Sequence, residues 1–172
     1  YWNEATSPIP GTAMTVVLEG ARPFVAEIQS LSCATPFPYP KRTARGIAGS
    51  RLGLLLAVLE RRGGIGARSM DVFMNVVGGL YLEDPAADLA VCMSLASSLV
   101  DRSLPRNRVF VGEVGLGGEV RPVPHVPSRL KEISRLGFST VVMSRYQVQE
   151  AYEGIEILRV ARLSEALKEL NR

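Results

Sequence analysis

The chain has 172 residues, 47% of them hydrophobic, enough to bury one sizeable core and suited to a single domain. Its apolar runs fall short of the ~20 residues that a membrane span requires, and Tyr1-Trp2-Asn3-Glu4 opens neither a basic region nor the apolar core of a secretory signal. The formal charge is only +3, yet residues 41–62 carry Lys41, Arg42, Arg45, Arg51, Arg61 and Arg62 against the single acid Glu60, and a localised basic patch sets where polyanions concentrate.

Residues 1–10, with Trp2, Asn3, Pro8 and Pro10, are expected to be an irregular linker; without an initiating methionine the chain is expected to be a piece of a longer protein. Residues 12–18 and 23–31 are β-branched and apolar around Glu19-Gly20-Ala21-Arg22, which predicts a hairpin. Pro36, Pro38 and Pro40 exclude regular structure and lead through an exposed loop into Lys41-Arg42-Thr43-Ala44-Arg45-Gly46. Ser50 is expected to cap a helix to Arg62, with Leu52, Leu55, Leu56 and Leu59 on its core face. Arg51 and Arg62 project from one side of that helix, and Gly63, Gly64 and Gly66 end it.

The stretch from Asp71 to Val100 organises the rest. It reads as a strand, a turn at Gly78-Gly79, and a helix in which Asp84 is the N-cap, Pro85 occupies the first turn and Asp88 faces the positive helix end. From Leu89 onward this helix is apolar nearly all round, as expected of a buried element. Beyond a loop at 101–107, a second hairpin is expected over 109–114 and 118–123, then a helix at 127–136, strands at 140–143 and 155–160, and a terminal helix at 163–170. The order indicates one α/β domain with a mixed sheet. Cys33 and Cys92 match no metal-ligand spacing and read as reduced structural thiols, consistent with a cytosolic protein.

Leu18-Glu19-Gly20, Arg42-Thr43-Ala44, Asp84-Pro85-Ala86-Ala87-Asp88-Leu89-Ala90 and Gly112-Glu113-Val114-Gly115-Leu116 occur in an order that resembles the proteolytic domain of Lon peptidases. The resemblance covers essentially the whole chain and is strongest to the carboxy-terminal Lon-like domain of the bacterial RadA/Sms recombination and repair family. It implies a fold of the ribosomal protein S5 domain 2-like type over residues 11–172, a hexameric ring and a cytoplasmic protein. It also implies an upstream ATPase core, with its ATP and magnesium, a zinc finger, and a recombinase as cellular partner. In Lon peptidases the corresponding turn carries Lys-Asp-Gly-Pro-Ser-Ala-Gly, whose serine is the nucleophile. Aligned on the proline, that position is Ala86, and Arg129-Leu130-Lys131-Glu132 puts Lys131 at the position of the partner lysine.

Without a hydroxyl at Ala86, a Ser–Lys dyad has nothing for the amine to activate, and Ser94, Ser97 and Ser98 lie further along the helix. A non-peptidase domain is therefore expected. Neither Gly63-Gly64-Ile65-Gly66 nor Gly115-Leu116-Gly117-Gly118 has the strand-to-helix setting of a phosphate-binding loop. Lys41, Arg42, Arg45, Arg51, Arg61 and Arg62, with Lys131 and Arg135, remain as a candidate DNA-binding set, and Phe37 and Tyr39 beside it could stack on bases. The same basic residues read alternatively as a solvated face or as one that meets an acidic neighbouring subunit. His125, in a loop and without a partner pattern, is assigned no role.

Overall fold

The computed structural model describes residues 8–171; most of the expected linker, Trp2 included, lies outside them. β1 (Thr12–Glu19) and β2 (Arg22–Ala34) form the expected antiparallel hairpin, with Val16 opposite Val25. β2 then pairs antiparallel with β4 (Met70–Val76). Where a loop is expected, a further strand, β3 (Arg42–Arg45), runs parallel to β4 at the sheet edge, giving the order β1-β2-β4-β3. Parallel neighbours need a crossover, and α1 (Gly49–Gly63) provides it.

α1 does not start at a serine cap. Its N-cap is Ala48, with no side-chain hydrogen bond, and Ser50 already lies inside the helix. The C-terminal end follows expectation, since Gly64 adopts the left-handed conformation and its N–H returns to the carbonyls of the last turn.

After β4 the chain turns through Gly78 and Gly79, both at positive φ, and a short 3-10 turn Pro85–Ala87 leads into α2 (Asp88–Val100). α2 is buried from Asp88 to Ser97, as its apolar run predicts. Its serines hold it to the sheet: Ser94 Oγ donates to the Gly11 carbonyl at 2.6 Å and shares a 2.6 Å hydrogen bond with Ser30 Oγ, while Ser97 Oγ accepts the Gly11 N–H at 2.8 Å.

The second hairpin is smaller than the sequence suggests. β5 (Arg108–Val111) joins a different sheet, and only β6 (Glu113–Val114) and β7 (Val120–Arg121) pair with each other. The break falls at Gly112, where a Cβ would come within 2.8 Å of Val120. β5 pairs in parallel with β8 (Thr140–Ser144), which pairs in parallel with β9 (Glu156–Val160). β8 is buried along its whole length, as a central parallel strand covered on both faces should be. α3 (Val126–Arg135) packs on one side of this sheet through Val126, Leu130 and Ile133. α4 (Leu163–Ala166) and a closing 3-10 turn (Leu167–Asn171) pack with α1 and α2 on the other side, so the expected terminal helix is only one α-helical turn long. The result is a mixed α/β domain built around α2.

Alternation along β2, β4 and β3 leaves one feature that bears on the site. Ile28, Val72, Met74 and Val76 face the helices, whereas Gln29, Leu31, Cys33, Phe73, Asn75, Thr43 and Arg45 are exposed on the opposite face. α3 covers that opposite face only at its β1–β2 end, over Met14, Val16 and Val25.

Candidate nucleic-acid interface and the degenerate peptidase turn

The turn that resembles the Lon nucleophile turn is held from three sides. Asp84 caps it, with one carboxylate oxygen accepting the Ala86 N–H at 3.0 Å. The other oxygen accepts the Leu18 N–H of β1 at 2.9 Å and the Arg129 guanidinium of α3 at 2.7 Å. Gly112 clasps the far side: its N–H donates to the Ala86 carbonyl at 2.9 Å and its carbonyl accepts from Leu89 at 3.0 Å. Burial alone would push the Asp84 carboxyl up, but the hydrogen bonds from Arg129, Ala86 and Leu18 outweigh it and hold the group below the usual carboxylate range.

Arg129 is 1% exposed. Besides Asp84 it donates to the carbonyls of Val16 at 2.9 Å and Pro124 at 3.0 Å. It is the residue the sequence reading passed over. Its signal was available as a basic side chain at i+3 from Val126 and i−4 from Ile133, on the apolar face of an amphipathic helix. Lys131 lies on the other side of α3 and is exposed, whereas Ala86 is 1% exposed and packs in the same core cluster as Leu130 and Ile133. The two positions aligned with the dyad differ in setting, Ala86 inside the core and Lys131 exposed. The basic group beside this turn is Arg129.

Asp88, one turn on, accepts both the Nε (2.9 Å) and an Nη of Arg51, and the Val114 N–H at 3.2 Å. Here burial outweighs the guanidinium and pushes the carboxyl up. Burial likewise pushes the Cys92 thiol far above its ordinary value, so that it is inert as a nucleophile. Clefts of about 330 and 300 Å³ flank the 81–84 segment, the first lined by Arg51, Tyr81, Asp84 and Asp88, the second by Leu18, Glu19 and Tyr81 among others. Neither is lined by a serine, threonine, cysteine, histidine or lysine.

The eight basic candidates divide by what their side chains already do. Arg42 points to the helix side of β3, where its guanidinium donates to the carbonyls of Ala67 (3.1 Å), Met70 and Lys41, pinning the loop between α1 and β4. Arg51 is committed to Asp88, with 35% of its side chain exposed. Arg62 donates to the Leu116 carbonyl at 3.4 Å and so ties the end of α1 to the β6–β7 turn. Arg135 is paired with Glu132 at 2.6 Å. Lys41, Arg45, Arg61 and Lys131 are exposed, and none makes a side-chain ion pair among the described residues.

The crossover decides which of these come together. α1 runs back antiparallel to β3, so its last turn, with Arg61 and Arg62, returns to the sheet end where Lys41 enters β3; the Lys41 N–H donates to Asp71 at 2.7 Å there. Arg45 and Arg51 lie at the opposite end of the same unit. Lys131 and Arg135 are on α3, across the sheet. His125 sits at positive φ as the N-cap of α3.

No family model matches the chain. It is similar to the DNA repair protein RadA of Escherichia coli K12, at 44% identity over 96% of this chain and 35% of that protein. The protein of the same name from Pseudomonas aeruginosa PAO1 is 40% identical over 99% of the chain and 38% of the relative, and that of Bacillus subtilis 168 is 39% identical over 98% and 37%. The chain thus spans little more than a third of the length of these relatives. With that identity carried along nearly its entire length, on a mixed α/β fold of the Lon-like kind, the chain is similar to a carboxy-terminal domain of RadA.

Proposed function

We propose that this chain is a DNA-holding and assembly module of a RadA-type repair protein, and not a peptidase. The observation that carries the reading is the display of Lys41, Arg45 and Arg61 on the β3–α1 unit, exposed and spent on no ion pair among the described residues. Such side chains bind phosphates by releasing condensed counterions, so affinity is independent of base sequence and falls steeply with salt. The name the relatives share, DNA repair protein, agrees with a polyanionic partner. In this reading the domain contributes to a ring, expected to be hexameric, and grips single-stranded or branched DNA. The remainder of the protein supplies ATP-driven branch migration, its magnesium and its zinc, and meets the recombinase.

Against peptidase activity stand the methyl group at Ala86, the lack of a serine, threonine or cysteine in the lining of both clefts beside it, and the solvent-facing Lys131.

The test is fluorescence anisotropy of labelled DNA at low and moderate salt, with light scattering for assembly. Lys41→Gln/Arg45→Gln should weaken binding, to about the same degree for unrelated base sequences, and reduce the salt slope by roughly one to two. Unchanged binding by a variant that still assembles would exclude this surface and favour a purely structural scaffold.

A further inference from the structure

We propose that the open face of the β2–β4–β3 sheet is a stacking platform for single-stranded nucleic acid, with Phe73 under the bases and Lys41 and Arg45 on the phosphates. The proposal deepens the DNA-holding reading and rests on it.

The register puts the necessary chemistry in adjacent rows. Leu31, Phe73 and Thr43 are cross-strand neighbours on β2, β4 and β3. The next row, toward the β3 C-terminus, is Gln29, Asn75 and Arg45, and on the other side Cys33 and Asp71 are followed across the sheet by Lys41. Phe73 is 36% exposed and Leu31 63%. An aromatic face in the middle of a sheet, bracketed by two cations and beside the amides of Asn75 and of Gln29, whose Nε2 donates to Glu27 at 3.1 Å, suits unstacked bases. Every base has a π-face to lay on the ring, while amides can reach base edges and cations the backbone. Lys41, just before β3, and Arg45, at its end, are four residues apart, about 13 Å in extended chain, so they reach phosphates on either side of a base seated on Phe73. The Pro-rich arm adds Tyr39, 87% exposed, two residues before Lys41. The one acid in these rows, Asp71, is occupied by the Lys41 N–H.

Duplex DNA does not use this arrangement, because its bases are already stacked and paired and present only backbone and groove edges. A second copy of the chain placed on the same face by a two-fold axis would bring Lys41 and Arg45 toward their own images. Like charges opposed in that way cost affinity.

The experiment titrates the chain into a fluorescein-labelled oligothymidylate and, separately, a labelled duplex of equal length, at one moderate salt concentration. Phe73→Leu keeps the apolar bulk and removes the π-face; Phe73→Tyr keeps both. Thermal melting and light scattering establish that each variant folds and assembles. Phe73→Leu should weaken single-strand binding about tenfold and change duplex binding by less than about twofold, with Phe73→Tyr close to the parent. If Phe73→Leu binds the oligothymidylate as tightly as the parent while Lys41→Gln/Arg45→Gln binds more weakly, the stacking platform is overturned and the DNA-holding reading stands. If the parent chain binds neither probe, that reading falls too. A Phe73→Leu variant that folds but loses its oligomeric state would make the face a subunit contact and overturn the proposal.

Discussion

At the scale of single residues, Asp84 and Asp88 stand four apart on the same turn yet differ in the sign of their electrostatics. Asp84 is paired with a guanidinium that has no access to water, and Asp88 with one that has. Asp84→Asn therefore strands the Arg129 charge in the interior, which costs about 3–5 kcal/mol, while Asp88→Asn leaves Arg51 free to swing into solvent at a smaller cost. Thermal melts at pH 7 should rank them in that order. Because the folded-state pKa of Asp84 is depressed, its contribution is complete above the unfolded carboxylate value of about 3.9 and is lost as pH falls through the folded value. The gap in melting temperature between the parent and Asp84→Asn should accordingly narrow on acidification below about pH 4. A gap that stays constant would mean the pair contributes through packing alone. Ala86→Ser tests the degenerate site directly: with Lys131 facing solvent there is no amine to activate the new hydroxyl, and no casein hydrolysis above the parent is expected. Measurable cleavage would revive the Ser–Lys chemistry.

At the scale of elements, β3 shows how four residues can redistribute a charge cluster. Alternation sends Lys41, Thr43 and Arg45 to the open face, and Arg42 and Ala44 to the helix side, where Arg42 makes three carbonyl contacts instead of a phosphate contact. Arg42→Ala should therefore lower stability, by about 1–2 kcal/mol for the lost charged hydrogen bonds. Lys41→Gln/Arg45→Gln should leave the melt unchanged and act on binding; the opposite pattern would invert the assignment of the two faces. The join from β3 to α1 depends on Gly46, which has φ +90°, and a Cβ there would meet Val76 at 2.6 Å and the Leu80 carbonyl at 2.7 Å. Gly46→Ala should cost more than the roughly 1–2 kcal/mol of left-handed strain alone, read as a shift in denaturant midpoint, and should loosen the 80–84 segment whose Leu82 N–H bonds the Gly46 carbonyl at 2.7 Å.

At the scale of the whole molecule, the domain is a four-stranded, a three-stranded and a small two-stranded sheet packed around α2, with a basic crossover unit at one edge and a clasped turn bearing Ala86 in the middle. If it assembles into a ring through surfaces other than the basic unit, neutralising Lys41 and Arg45 should leave the light-scattering mass unchanged while the salt slope of binding falls by roughly one to two. A fall in mass would transfer the basic residues to a subunit contact. The parts legible in the chain alone are those whose signal is local. These are the buried helix from Leu89, the Asp84-Pro85 cap, the first hairpin, and the vacant nucleophile position at Ala86, because periodicity, capping chemistry and residue identity are written in neighbouring positions. The sequence did not disclose β3, whose four residues carry two arginines and find their hydrogen-bond partners in β4 beyond an intervening helix, nor the split of the 109–123 hairpin, which turns on Gly112 meeting Ala86 and Val120. The folded chain brings Arg129 rather than Lys131 to the Asp84 turn, and it engages Arg42, Arg51 and Arg62 with carbonyls or a carboxylate while Lys41, Arg45 and Arg61 make no ion pair among the described residues. The physical reason is that a charge is available for binding only after the fold has chosen which carbonyls and carboxylates it must satisfy, and those partners are distant in the chain.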